Sequence, residues 1–124
     1  MTRLYLNVTA GGLALVALGY ALIPHTSVGA LVDLRLETAD QVHILRAIMG
    51  LYLGMVCFWF YAASRPQFAR AAVLSVVLFM FGLAFGRMIS MAVDGMPSAF
   101  LVGATGVEIV SGVLGVLLLR SEPE

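Results

Sequence analysis

Four long apolar segments constrain this chain more than any other feature of its sequence. They cover about residues 4–23, 41–63, 71–93 and 98–119. At about 1.5 Å of helical rise per residue, each can cross a hydrocarbon core of about 30 Å. Inside that core the backbone has no water to bind, so every segment has to satisfy its own hydrogen bonds as a helix. We therefore predict an all-α bundle of four transmembrane helices that forms one domain, residues 1–124.

The composition agrees with a membrane protein and excludes several classes of partner. The chain is 61% hydrophobic and 11% charged, which is too apolar for the largely polar surface of a small soluble domain. All seven basic residues are arginines, dispersed along the chain, whereas a nucleic-acid-binding protein needs a clustered basic face. We therefore expect no nucleic-acid partner. The two histidines have no cysteine or acid at ligand spacing, so we expect no metal site either.

The distribution of the arginines predicts the orientation of the bundle. Arg3, Arg65, Arg70 and Arg120 fall on one side of it, and Arg35 alone falls on the other. Loops rich in basic residues stay in the cytoplasm. We therefore expect both termini to be cytoplasmic, the connection that contains Arg35 to lie outside, and the protein to reside in a bacterial inner membrane.

Local signals predict how the helices begin and end. Thr38 or Asp40 can cap the second helix, because a short side chain with an oxygen accepts hydrogen bonds from the free amides of a first turn. The glycine and proline of residues 94–97 predict a tight turn after the third helix. Trp59 and Tyr61 are expected at the headgroup level, which amphipathic rings favour.

Three charged residues lie inside the apolar segments. An arginine near the bilayer centre costs at least about 2.5 kcal/mol, so Arg46 and Arg87 have to face protein or water. Both lie about 8–10 Å below the outer ends of their helices, and Glu108 lies about 15 Å below the outer end of the fourth. Ser90 and Asp94 share a helix face with Arg87 at i+3 and i+7. We predict that these five residues form one polar cluster in the outer half of the bundle.

Further residues are predicted around this cluster. Aromatic and imidazole side chains that can form its rim or wall are His43, Tyr52 and Tyr20. Glycines at small-xxx-small spacing permit close approach of helices, and those predicted to pack are Gly50, Gly54, Gly82, Gly86 and Gly112. Two interpretations of the cluster remain open: an ion network that only pins helix register, or a pocket that attracts an anion or handles protons.

A family resemblance is carried by two strings, Leu45-Arg-Ala-Ile-Met-Gly-Leu-Tyr-Leu-Gly54 and Gly86-Arg-Met-Ile-Ser-Met-Ala-Val-Asp-Gly-Met-Pro-Ser98, followed by Glu108. With them the chain resembles, over nearly its whole length, the bacterial four-helix membrane family catalogued as domain of unknown function four-three-four-five. The most specific part is Gly-Arg-x-x-Ser-x-x-x-Asp-Gly-x-Pro-Ser. That family is distantly similar to the DoxX-like group, some members of which are subunits of quinone-linked sulfur oxidation. A likeness at this level implies a fold and does not identify a reaction.

Three functions are compatible with these observations. The expected one is a non-enzymatic accessory or binding module, in which Arg46 and Arg87 hold a lipid or quinone-like amphiphile, or dock a partner subunit, while Glu108 balances their charge. The second is a small proton-coupled transporter, in which Glu108 exchanges a proton for substrate. The third is a DoxX-like subunit of a quinone-linked oxidoreductase complex. No cofactor motif is recognisable, and the number of glycine notches predicts self-association or a larger membrane complex.

Overall fold

The computed structural model of the protein describes residues 1–22 and 36–121, except for the side chains of residues 20–22. In these ranges the chain forms four α-helices: α1 (Thr2–Leu22), α2 (Ala39–Ala63), α3 (Pro66–Val93) and α4 (Ala99–Ser121). The prediction of an all-α protein with four helices is confirmed. Helix α3 begins five residues earlier than expected, because Pro66 occupies its first turn, where a proline loses no hydrogen bond.

Three of these helices are long and apolar enough to cross a membrane. They are α2, α3 and α4, with 25, 28 and 23 residues. The protein is thus a multi-pass membrane protein. That α1 is a fourth span, and that both termini are cytoplasmic, remain predictions. The predicted outer connection around Arg35 lies outside the described residues.

The helix ends follow the local signals of the sequence. The hydroxyl of Thr38 accepts a hydrogen bond from the backbone N–H of Gln41 at 3.3 Å, and the Gln41 side chain accepts one from the backbone N–H of Thr38 at 3.1 Å. This reciprocal capping confirms Thr38 as the cap, while Asp40 lies in the first turn. The turn after α3 is also confirmed, since Gly95 has a φ of +101°, a conformation that favours glycine.

The helices pack as two antiparallel hairpins. Helix α1 lies along α2, and α3 lies along α4, with fewer contacts between the two pairs. The ring edges of Tyr52 and Phe79 join α2 to α3, with centroids 5.2 Å apart. The Tyr5 hydroxyl donates to the carbonyl oxygen of Ser111 at 2.7 Å and so joins α1 to α4. Aromatic side chains and their hydrogen bonds therefore hold the hairpins together.

Trp59 corrects one expectation from the sequence. It is fully buried in the core, so its ring faces the other helices and not the headgroups, while its depth in the membrane stays a prediction. Its indole N–H donates to the hydroxyl of Ser75 at 2.9 Å, which removes the cost of burying that donor. Tyr61 is exposed, as a ring at the interface would be.

The core does not fill the whole length of the bundle. The buried positions of α2 run from Tyr52 to Ala63, and those of α3 run from Ala72 to Ala84. Residues 39–51 of α2 and 85–93 of α3, toward the predicted outer side, contain no fully buried position, although Ile48 and Met49 still pack against the core. Arg46 and Arg87 both lie in these outer parts.

Candidate functional site

The centre of the predicted cluster is an ion pair between α3 and α4. The Arg87 Nε–H donates to both carboxylate oxygens of Glu108, with N···O distances of 2.9 and 3.1 Å. The Arg87 and Glu108 side chains retain 24% and 10% of their exposure. A hydrogen bond between two ionised groups is stronger than a neutral one, so this pair holds the two helices in register at a point where the core ends.

Ser90 and Asp94 form a second contact, separate from the ion pair. The Ser90 hydroxyl donates to Asp94 Oδ2 at 2.9 Å, and both residues are exposed. Asp94 ends α3 and lies seven residues beyond Arg87, which corresponds to about 10 Å along the helix axis. Its charge is therefore placed nearer to the end of the bundle than the charges of the ion pair.

Arg46 lies at the level of this ion pair but does not join it. Trp59 contacts Ser75 and Tyr52 contacts Phe79 across the antiparallel helices α2 and α3. Counting outward along both helices from either contact brings Arg46 opposite residues 85–88, that is, opposite Arg87. In the described part of the chain Arg46 is exposed and has no hydrogen-bond or ion-pair partner.

Glu108 pairs with Arg87 and not with Arg46. Within the described ranges α4 packs along α3, and α2 and α4 have no close backbone contact. The structure thus divides the five predicted residues into a pair, Arg87 with Glu108, a second pair, Ser90 with Asp94, and a lone Arg46. Among the described residues, the charges at the level of the ion pair are two positive and one negative.

A small cavity adjoins the ion pair. It has a volume of about 90 Å³ and is lined by Arg87, Ser90, Met91, Pro97 and Leu101. Two of its lining residues belong to the predicted cluster, and the other three provide an apolar wall. A larger cavity of about 230 Å³ lies at the opposite end of the bundle, between Thr2, Arg3, Ala62 and Pro66, and contains none of the predicted site residues.

The predicted wall residues are not gathered around this cavity. His43 is exposed on α2, one turn beyond Arg46. Tyr52 is buried in the core against Phe79, below the level of the ion pair. The side chain of Tyr20 lies outside the described part. Within the described ranges, no three His, Cys, Asp or Glu side chains come together as metal ligands.

The predicted packing glycines divide into two groups. A Cβ on Gly112 would meet the Phe81 ring at 2.7 Å, so this glycine does permit close approach of α3 and α4. A Cβ on the other four, Gly50, Gly54, Gly82 and Gly86, would meet no atom of the described residues within 4 Å. These four glycines therefore lie on open faces of the single chain.

Thr105 is a polar residue of the site that was not predicted from the sequence. Thr105 is buried, and its hydroxyl donates to the Leu101 carbonyl oxygen at 3.0 Å. It precedes Glu108 by three residues, and the same buried face continues through Gly112 and Gly115. Spacing of three and four residues along one helix face would have found it. The cavity-lining residues Pro97 and Leu101 gave no such signal.

Fold and site together define a class of protein. It is a small multi-pass helical membrane protein with a partly buried arginine–glutamate pair between its last two helices. The chain belongs to the family described as Domain of unknown function (DUF4345), whose model matches residues 1–119. The resemblance seen in the sequence is thereby confirmed. Comparison with curated proteins and with solved structures finds no match.

Proposed function

We propose that this protein is a non-enzymatic binding module of a bacterial inner membrane. It holds an amphiphile whose head carries an anionic or carbonyl oxygen, and Arg87 is the main donor to that head. The observation that supports this most directly is the state of the Arg87 guanidinium. It uses a single N–H group for Glu108, and Arg87 also lines a cavity.

The balance of charge favours an anionic head. In the part of the chain that the structure describes, Arg46 and Arg87 lie at one level with a single carboxylate, that of Glu108. An unmatched positive charge within the hydrocarbon is costly, and a bound anion would relieve it. Asp94 does not serve this purpose, because it lies about 10 Å further along α3 and accepts from Ser90.

The size of the cavity favours a molecule that extends beyond it. Pockets that enclose a whole drug-sized ligand have volumes of about 300–1,000 Å³, whereas this one has about 90 Å³. It accommodates a head group and leaves the rest of the molecule outside. Large apolar side chains are exposed close by, among them Met88 and Ile89 on α3 and Phe100 on α4. An apolar tail would lie along them in the bilayer.

The orientation predicted from the arginines places this site in the outer half of the membrane. With both termini in the cytoplasm, the turn at Gly95 lies at the outer surface. The head group would then be taken from the outer leaflet. This part of the proposal depends on the topology and is tested with it.

Mass spectrometry of the protein extracted in mild detergent tests the proposal. Wild-type protein is expected to carry a bound amphiphile, which lipid extraction then identifies. Arg87→Gln should abolish its recovery, and Arg46→Gln should reduce it. Arg120→Gln removes the same charge from the exposed far end of α4 and should retain it.

Two results would contradict the proposal. One is equal recovery of the amphiphile from wild type and Arg87→Gln, measured per folded protein. The other is wild-type protein that carries no amphiphile after extraction from its native membrane. Recovery of a quinone instead of an anionic lipid would keep the binding function and assign the carbonyl-bearing class of head.

A further inference from the structure

In the Arg87–Glu108 contact the arginine donates from its Nε alone. Both Glu108 oxygens accept from the same Arg87 Nε–H. A guanidinium can instead donate two parallel hydrogen bonds, one from each of two nitrogens, to the two oxygens of a carboxylate. Here the two Nη groups have no hydrogen-bond partner in the part of the chain that the structure describes. One N–H of each Nη group lies on the end of the guanidinium that points away from the side-chain stem. These two N–H groups form a fork that can donate to a second pair of oxygens.

The cavity is lined by Arg87 but not by its partner Glu108. Ser90 lines it together with Arg87. Ser90 gives its hydroxyl proton to Asp94, so it offers only lone pairs to a bound group. Arg87 is consequently the donor that an anion in this cavity would find.

We propose that Glu108 is a positioning residue, which holds Arg87 by its Nε–H so that both Nη groups present a fork to a two-oxygen anion. The ligand class is a carboxylate or phosphate head on an apolar tail. This inference rests on the proposed function and narrows its ligand. The planar fork of arginine matches two oxygens of one group, whereas a lone carbonyl oxygen uses only half of it.

Simple charge balance predicts the opposite effect for Glu108. If Glu108 only offset positive charge, its removal would strengthen the binding of an anion. If it orients the guanidinium, its removal frees the Arg87 side chain to take other rotamers. Binding then weakens although the site has become more positive. The sign of the change therefore separates the two roles.

The experiment measures the binding of a long-chain fatty acid and of phosphatidylglycerol to the full chain in nanodiscs of zwitterionic lipid. A fatty alcohol of equal chain length is the control without an oxyanion. Glu108→Ala should weaken binding of the anionic probes about fivefold to tenfold. Glu108→Gln should recover most of that loss, because its amide oxygen still accepts the Nε–H. Arg87→Lys keeps the charge and lacks the fork, so it should weaken binding about tenfold or more.

Each outcome decides a separate point. Stronger or unchanged binding in Glu108→Ala overturns the positioning role, and wild-type affinity in Arg87→Lys overturns the fork, while the proposed function stands in both cases. Failure of wild type to bind either anionic probe better than the alcohol overturns the proposed anion class as well. Tighter binding of one probe distinguishes a carboxylate from a phosphate head. If Glu108→Ala does not fold, Glu108→Gln decides the positioning role: positioning predicts binding no stronger than wild type, and binding stronger than wild type overturns it. Arg87→Lys still decides the fork.

Discussion

The Arg87–Glu108 pair allows the scaffolding role of these residues to be separated from their role in binding. Arg87→Gln leaves Glu108 charged and without its partner. Glu108→Gln leaves a neutral acceptor for the Nε–H. The double variant places two neutral amides at the interface of α3 and α4. We expect the double variant to regain stability but not to regain the bound amphiphile.

The magnitude follows from the burial of the pair. Breaking a buried pair costs about 3–5 kcal/mol, and an exposed pair contributes about 0–1 kcal/mol. The side chains of Arg87 and Glu108 keep 24% and 10% of their exposure, so this pair lies between those limits. We expect a loss of about 2 kcal/mol for Arg87→Gln, about 1 kcal/mol for Glu108→Gln and no more than about 1 kcal/mol for the double variant. The coupling free energy is then about 2 kcal/mol, within the range for residues in contact.

The assay is reversible unfolding of the four proteins in mixed micelles, with mass spectrometry of bound lipid on the same preparations. Arg120→Gln is the matched control, and its stability should stay within about 0.5 kcal/mol of wild type. Return of the amphiphile together with stability in the double variant would show that Arg87 is only scaffold. A coupling below about 0.5 kcal/mol would refute the ion pair itself as a feature of the protein in its membrane.

Glycines and topology provide the remaining predictions. Gly115→Ala should destabilise the bundle by about 2 kcal/mol, since its Cβ would meet a Val77 methyl at 2.5 Å and the Tyr5 hydroxyl at 2.6 Å and overpacking costs about 1–3 kcal/mol. Gly86→Ala, with no atom within 4 Å, should be neutral or slightly stabilising by helix propensity, and equal losses in both variants would contradict this packing. Reporters fused at residue 124 and inserted near Asp33 should indicate cytoplasm and exterior respectively, and the reverse pair of signals would overturn the orientation. The open glycines also predict self-association or a partner subunit, which crosslinking in membranes detects; recovery of monomer alone would count against it.

Much of the fold could be predicted from the sequence, because its signals act over a few neighbouring residues. Apolar runs of about 20 residues indicate helices that cross a bilayer, whichever neighbours they have. Thr38 and Gly95 set a helix start and a turn through contacts within one turn of chain. The same local logic placed Arg46 and Arg87 at one depth, since depth depends only on the count of residues from a helix end.

The partners of each side chain were decided by tertiary structure. By depth alone, either arginine could pair with Glu108. In the structure α4 packs along α3, and Glu108 pairs with Arg87. Trp59 carries the sequence signal of an interfacial ring, yet packing against Phe79 and the Ser75 hydroxyl buries it. Four of the five predicted packing glycines have no close neighbour on their open side among the described residues.

The physical reason is the same in each case. Hydropathy, capping and turn preferences depend on a residue and its neighbours along the chain. Ion pairing and close packing depend on how far each helix is rotated about its axis and on which helix lies beside it. Those two quantities arise from the sum of many side-chain contacts across the α1/α2 and α3/α4 hairpins. The sequence therefore determined the helices and the common level of Arg46 and Arg87, and the packed structure determined that Glu108 holds Arg87 and not Arg46.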